Sequence, residues 1–251
     1  HRRCSQSDPY RIGTAIFSFK LHDRGERGAT QYNLTITSRR EHGMTIEHLS
    51  LDQFLSQLSS NTPTPGGGSA ASLMGAIGAA LVGMVCNLTT GKDQYAAVES
   101  RIQNRLATAQ DLQAQITATI ADDIAAFDQV MAAFRLPRVS DEETAARHRA
   151  IQAALIRATQ VPMRCARLCG EVLALSGEVA EIGNLKVISD AGVAAMAAYA
   201  GLKSAALNVY INVPNLTERD FATRCIDEIE RLCATADQRV AATYALVRSK
   251  L

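Results

Sequence analysis

The run Pro65-Gly66-Gly67-Gly68-Ser69 is the first segment of this chain whose composition suits ligand binding. Consecutive glycines expose backbone N–H groups, and the start of a helix carries partial positive charge, so the two together can hold an anion. The segment is not a P-loop, because no Lys-Ser/Thr pair follows the glycines. It predicts either an anion site or a flexible turn before a helix.

Three aspartates, Asp122, Asp123 and Asp128, interrupt a helical pattern of apolar residues. Helical spacing puts Asp123 on the face that also carries Phe127 and Val130. Aspartate is a poor residue for a helix interior, so an inward-facing Asp123 calls for a reason, and a carboxylate can move protons or stabilise a cation. The alternative is that these aspartates lie on a solvated face.

Polar residues also interrupt apolar segments further along the chain, at Asn184, Asp190, Asn208 and Asn212. A buried amide costs free energy unless it is hydrogen-bonded, so these side chains would bind either a polar ligand or the backbone. Asn and Asp are also common helix caps, and that alternative stays open for all four.

The histidines and cysteines argue against a zinc or Ser-His-Asp site. The five histidines lie outside the segments above: His1, His22, His42, His48 and His148. Cys165 and Cys169 are one helical turn apart and could share a metal, but small buried helix residues explain that spacing more simply. Free thiols and the lack of a recognisable signal peptide favour the cytoplasm. We expect carboxylate acid–base chemistry and no metal.

The sequence predicts that the elements which position these residues are helices. Capping-box patterns begin helices at Ser50 and Ser140, and Pro162 is expected to kink or break the second of these. Thr217 is expected to cap a last amphipathic helix. Because no segment after residue 44 alternates with period two, the sequence predicts an all-α helical bundle.

A helix over about 69–90 has no charged residue and carries the small-residue ladder Gly75, Ala79 and Gly83. We expect a long central helix buried on all sides, with a second subunit completing the burial in a homodimer. The same stretch is long enough to cross a bilayer, so a membrane-associated protein is the competing interpretation. Its modest hydropathy, and ends without Trp or Tyr, favour the buried helix and no membrane.

Residues 1–43 differ from the rest of the chain. They hold 8 Lys/Arg and 4 Asp/Glu, whereas 44–251 hold 18 basic and 21 acidic residues. We interpret 1–43 as a non-domain extension before a natural start at Met44, with a small hairpin as the alternative. The mildly acidic remainder gives no support to nucleic-acid binding.

Taken in order, these segments resemble the cyclodeaminase domain of formiminotransferase-cyclodeaminase and its stand-alone relatives, some of which are methenyltetrahydrofolate cyclohydrolases. Each motif alone is weak, whereas the ordered set from about Leu49 to Arg239 is specific. The set is Pro65–Ser69, Met84-Val85, Leu88–Lys92, Asp123–Phe127, Arg135–Pro137, Val161-Pro162, Gly183-Asn184, Ser189-Asp190, Asn208-Val209 and Ile211-Asn212. Residues 1–43 have no counterpart.

The resemblance implies a dimer that binds tetrahydrofolate derivatives and needs no metal or redox cofactor. It makes Asp123 and Asp190 the candidate catalytic groups. Polar contacts to the substrate would come from Asn184, Asn208, Asn212, Arg138, Lys92 and the 65–69 segment. Lys92 and that segment would hold the anionic glutamate tail. Relatives often have a second basic residue after Lys92, where this chain has Asp93, so polyglutamate affinity is in question.

Two reactions follow from the resemblance. The first, placed slightly ahead, closes 5-formiminotetrahydrofolate to 5,10-methenyltetrahydrofolate and releases ammonia, with a formiminotransferase as an expected partner. The second adds water to the methenyl ring and gives 10-formyltetrahydrofolate. Both pass through a tetrahedral carbon between N5 and N10, where a carboxylate can stabilise the cation and move a proton. A non-catalytic folate-binding helical dimer is the third interpretation.

Overall fold

The computed structural model describes residues 49–251, and the expected extension over 1–43 with a start at Met44 lies outside them. Within that part the chain forms six α-helices, joined by short links and 3-10 turns, and no strand. The helices are α1 Leu51–Leu58, α2 Gly67–Asn87, α3 Glu99–Phe134, α4 Asp141–Ile182, α5 Ile188–Asn212 and α6 Arg219–Lys250. The all-α bundle is confirmed.

Local capping fixes where two helices begin. The Ser50 hydroxyl accepts the Gln53 N–H at 3.2 Å, and the Gln53 side chain accepts the Ser50 N–H at 2.9 Å. Ser140 and Glu143 make the same reciprocal pair at the start of α4. Both capping boxes are confirmed, because this motif depends only on residues three apart.

Two expected boundaries are wrong. Of the kink or break expected at Pro162, the break does not occur, because α4 continues through this residue. Thr217 does not cap α6, whose N-cap is Glu218 without a side-chain bond. Thr217 instead donates its hydroxyl and backbone N–H to Oε1 of Gln152, at 3.0 and 2.8 Å. Thr217 therefore bonds Gln152 of α4 and does not cap the start of α6, the role that its position in the sequence predicted.

Helix α2 lies at the centre, against α3, α4 and α5. Glycine lets α2 and α5 approach closely: a Cβ added at Gly78 would lie 2.9 Å from the Ala194 carbonyl oxygen, and one at Gly201 would lie 2.9 Å from that of Ala71. The long central helix is confirmed. It is not buried on all sides within one protomer, because a stripe of apolar residues on its outer face stays exposed.

Two stretches of the described residues are long and apolar enough to cross a membrane, Gly67–Asn87 and Leu185–Asn215. Length and composition alone select them, and a buried core helix passes the same test. Both pack within the bundle.

The helices run in fixed directions relative to one another. The guanidinium of Arg147 in α4 donates to the carbonyl of Phe134 at the end of α3, at 3.2 Å, so α3 and α4 form an antiparallel hairpin. The amide of Asn208 faces Gly67, whereas Asn184 just before α5 contacts Thr89 just after α2. Helices α2 and α5 are therefore antiparallel.

Candidate functional site

The first turn of α2 meets a carboxylate from α3. The N-cap residue Gly66 has no side chain with which to bond the free N–H groups of α2. Asp123 takes that place from a neighbouring helix, and its Oδ2 atom accepts the Ser69 hydroxyl at 2.9 Å. A Cβ atom at Gly68 would lie 2.6 Å from Cγ of Asp123. Glycine at position 68 therefore makes room for the carboxylate.

Burial shifts the acidity of this carboxylate. Removal from water raises the pKa of Asp123 above its ordinary 3.8, while hydrogen bonds from the hydroxyl and backbone N–H of Ser69 oppose the shift and lower it. Desolvation prevails, because the charged form loses more hydration than these two bonds return. A carboxylate of raised pKa is a stronger base and keeps a proton closer to neutral pH, as acid–base catalysis requires.

A pair of buried hydroxyl groups lies one helical turn away from Ser69 and Asp123. The Thr119 hydroxyl donates to Oγ of Ser72 at 2.7 Å, and Ser72 lies 3.1 Å from the Gly68 carbonyl oxygen and 3.6 Å from Sγ of Cys165. Sequence reasoning missed Ser72 and Thr119. Helical spacing could have identified them. Ser72 follows Ser69 by three residues and Thr119 precedes Asp123 by four, so each shares a helix face with a site residue.

Asn208 borders the same glycine turn from α5. A Cβ added at Gly67 would lie 4.0 Å from both amide atoms of Asn208, which donates to the Ser204 carbonyl at 2.9 Å. The structure thus brings together the 65–69 segment, Asp123 and Asn208. A polar ligand over Gly67 and Gly68 would meet a carboxylate on one side and an amide on the other.

Asn212 has a backbone partner instead. Pro162 lacks an N–H, so the carbonyl of Ala158, four residues earlier in α4, has no donor within its helix. The Asn212 side-chain amide donates to that carbonyl at 2.8 Å. This bond explains how α4 continues through a proline. It also uses one hydrogen of the amide that we predicted to bind a ligand.

Asn184 lies at the opposite end of α2 and is only 2% exposed. Its backbone N–H donates to the Thr89 hydroxyl at 2.9 Å, its side-chain amide donates to the Leu88 carbonyl at 2.8 Å, and its Oδ1 accepts the Lys186 N–H at 3.0 Å. Helix α2 has 21 residues, about 30 Å of helix. Asn184 and nearby Lys92 are separated from Asp123 by that length.

Asp190 is in the first turn of α5, at the same end as Asn184. Asn208 follows it by 18 residues, about 27 Å along the helix, so one protomer does not bring Asp190 to Asp123. Arg138 lies beyond the end of α3, past Phe134, a residue about 16 Å along the helix from Asp123. The ligand and catalytic roles of Asp190, Arg138 and Lys92 stay predictions.

No group of three His, Cys, Asp or Glu residues suited to a metal occurs between residues 49 and 251. Cys165 and Cys169 are buried, with their sulfur atoms 4.0 Å apart. The Cys169 sulfur packs against Gly75 and Gly201.

These features define a class of protein. It is an all-α bundle in which a half-buried carboxylate lies against the glycine-rich start of the central helix. Residues 50–231 match the family model described as formiminotransferase-cyclodeaminase. The chain belongs to that family, and the resemblance drawn from its motifs is confirmed.

Individual relatives carry the names of two reactions. The chain is 52% identical to a methenyltetrahydrofolate cyclohydrolase of Methylorubrum extorquens over 201 residues, 80% of this chain and 97% of that protein. It is 32% identical to formimidoyltransferase-cyclodeaminase of Rattus norvegicus over 192 residues, 76% of this chain and 36% of that protein. The solved formiminotetrahydrofolate cyclodeaminase of Thermotoga maritima superposes with a TM-score of 0.74 at 28% identity, over 82% of this chain and 98% of that one.

Proposed function

We propose that this chain is a methenyltetrahydrofolate cyclohydrolase, which adds water to 5,10-methenyltetrahydrofolate and gives 10-formyltetrahydrofolate. The observation that carries the proposal is the Asp123 carboxylate, held against the glycine turn of α2 by Ser69. The 52% identity to a protein named for this reaction favours it over cyclodeamination, the reaction that the motifs placed slightly ahead.

Asp123 suits the steps of this hydrolysis. The substrate is a cation delocalised over N5, the bridging carbon and N10, and an ionised carboxylate stabilises it. Asp123 takes a proton as water attacks the bridging carbon and forms a C–O bond. The C–N5 bond then breaks as the new hydroxyl group becomes the formyl C=O and releases its proton to solvent. N5 takes the proton that Asp123 holds, so one proton is released overall. The raised pKa of Asp123 strengthens the base that the first step needs.

The surrounding residues have supporting roles in this proposal. The backbone of 65–69 and the amide of Asn208 would contact the polar edge of the substrate. Ser69 would hold the carboxylate in place, and the reaction would use no metal or redox cofactor. We keep the cytoplasm as the expected location.

The decisive experiment follows methenyl absorbance with the purified full chain. Wild type should consume 5,10-methenyltetrahydrofolate well above the buffer rate, and Asp123→Asn should lower kcat by about 100-fold or more, the usual range for a lost acid–base group. Asp111→Asn, on the exposed face of α3, is the control and should leave kcat unchanged. Full activity of Asp123→Asn would refute the catalytic assignment.

Cyclodeamination is the second candidate, favoured by the structural match to the Thermotoga maritima enzyme. Wild type would then form methenyl absorbance and ammonia from 5-formiminotetrahydrofolate, with a formiminotransferase as the expected partner. A folded chain that binds folate but is inactive in both assays would support the non-catalytic interpretation.

We also propose a homodimer through the outer face of α2 and α5. Ile77 and Met84 of α2 and Leu88 just after it are exposed at 45%, 37% and 41%, and Val193 and Met196 of α5, which packs against α2, are exposed as well. Helix α2 has no charged residue, and an apolar patch of this kind marks an interface. A two-fold axis perpendicular to α2 would carry the partner's Asp190 towards Asp123, which would give the second predicted catalytic residue its place.

The dimer is tested by light scattering during gel filtration. Met84→Glu should convert the dimer to a monomer, because a charge would be buried in an apolar interface. Leu251→Glu, at the exposed end of α6, is the control and should leave the dimer intact. A monomeric wild type would refute the proposal.

A further inference from the structure

Asp122, the residue before Asp123, lies between two arginines of α4. Its Oδ1 atom is 3.5 Å from Nη2 of Arg157, and its Oδ2 atom is 3.4 Å from Nη1 of Arg164. The two arginine side chains are 53% and 47% exposed. One carboxylate thus holds two guanidinium groups at the surface, one residue along α3 from the proposed base.

The charges of this triad do not cancel. Two guanidinium groups and one carboxylate leave a net charge of +1, and each guanidinium keeps N–H donors that Asp122 does not use. Both contacts are at the long end of hydrogen-bond distances, so an arriving carboxylate can replace them at small cost. Guanidinium groups bind carboxylates as two-pronged donors, which makes the triad a suitable receptor for carboxylates.

We infer that Arg157 and Arg164 form the subsite for the anionic glutamate end of the folate substrate, and this rests on the proposed function. In folates the first glutamate carboxylate is one benzoyl ring and one amide bond away from N10. Both arginines contact Asp122, the residue next to Asp123 in α3, so the tail of a folate whose bridging carbon lies at Asp123 would extend towards them. Within one protomer Lys92, the residue that sequence reasoning assigned to this tail, lies about 30 Å away at the far end of α2.

A second ion pair joins the same two helices and supplies the control. Nε of Arg105 lies 2.6 Å from Oε2 of Glu178, with 36% and 45% exposure. This pair is matched one to one and carries no net charge. Asp122 is 17 residues further along α3, about 26 Å away. Losing Arg105 therefore removes an α3–α4 ion pair without touching the proposed subsite.

The experiment measures binding of 5-formyltetrahydrofolate, with one and with five glutamates, to the full chain by calorimetry. The Arg157→Ala/Arg164→Ala variant should weaken binding of the pentaglutamate by about tenfold or more and reduce its salt dependence. Arg105→Ala should bind as wild type does. Circular dichroism verifies that each variant is folded.

Asp122→Asn gives a readout that a purely structural role would not produce. Removing the competing carboxylate frees both arginines, so the pentaglutamate should bind more tightly than to wild type. Single Arg157→Gln and Arg164→Gln variants serve if the double variant fails to fold. Unchanged affinity in the arginine variants, with wild type binding folate normally, would overturn this subsite alone. No folate binding by wild type would overturn the proposed function as well.

Discussion

Asn212 replaces the hydrogen bond that Pro162 removes from α4. The proline leaves the Ala158 carbonyl without a helical donor, and the Asn212 amide donates to it across 2.8 Å. The bond joins residues 54 positions apart and ties the end of α5 to the middle of α4.

This relationship predicts a coupled pair of substitutions. Asn212→Ala should lower the free energy of unfolding by about 1 kcal/mol, because a half-buried carbonyl loses its donor. Adding Pro162→Ala restores an N–H to the helix, so the double variant should be more stable than the sum of the single changes predicts. Urea unfolding of all four proteins measures the coupling. Strict additivity would show that the two residues act independently.

Gly68 predicts a loss of activity without a loss of fold. Alanine is the better helix former by about 1 kcal/mol, yet its Cβ at position 68 would lie 2.6 Å from Cγ of Asp123 and displace the carboxylate. Gly68→Ala should reduce kcat by about tenfold or more. Gly83→Ala is the matched control, because its added Cβ would meet only Leu106, at 3.8 Å. Equal activity of both variants would contradict a fixed position for Asp123.

Ser69 predicts a shift in pH dependence. Its hydrogen bonds lower the pKa of Asp123 against the effect of burial, so Ser69→Ala should raise that pKa further. Because the base must be ionised, the acid limb of kcat/KM should move to higher pH. Ser176→Ala removes a buried hydroxyl that bonds the Val172 carbonyl in its own helix, and it should leave the profile unchanged. An unmoved acid limb in Ser69→Ala would remove Asp123 as the titrating base.

Asp123 also makes stability depend on pH. Its folded-state pKa lies above the ordinary 3.8, so its protonation favours the folded state. That contribution is fully present below the unfolded pKa and is lost as pH rises through the folded pKa. The stability of wild type relative to Asp123→Asn should therefore fall as pH rises from about 3 towards neutral. Thermal unfolding across this range measures the difference, and a rising difference would mean that the Ser69 bonds outweigh burial.

Asn184 predicts a structural effect. Its side chain bonds the Leu88 carbonyl and the Lys186 N–H in a buried position. Asn184→Ala should cost about 2 kcal/mol of unfolding free energy, with KM unchanged. Asn104→Ala, on the exposed surface of α3, should change neither. A raised KM with full stability would instead support the predicted contact with substrate.

The sequence predicts what depends on neighbouring residues. The boxes at Ser50 and Ser140 have the expected geometry, because residues three apart meet in any helix start. Two features depend instead on residues far away in the chain, and no local pattern predicts them. They are the continuation of α4 through Pro162 and the hydrogen bonds from Thr217 to Gln152. The same difference separates the two predicted carboxylates. Helical spacing places Asp123 on an inward face, but it cannot reveal that Asp190 lies at the other end of the bundle.

The arginines of the proposed tail subsite illustrate a second limit. Arg157 and Arg164 are seven residues apart, as on any exposed helix face, and nothing in their surroundings distinguishes them from other surface arginines. What distinguishes them is their shared contact with Asp122, which belongs to α3 and lies far away in the sequence.

Helix α2 contains five glycines among its 21 residues. Each costs about 1 kcal/mol of helix stability relative to alanine, so the isolated segment would not hold a helix in water. Its helical state therefore comes from its neighbours, including α5, whose close approach the same glycines permit. During synthesis α2 leaves the ribosome about 100 residues before α5 begins. The uncharged segment therefore lacks its last partner for that interval, and apolar surface that is exposed during folding favours aggregation.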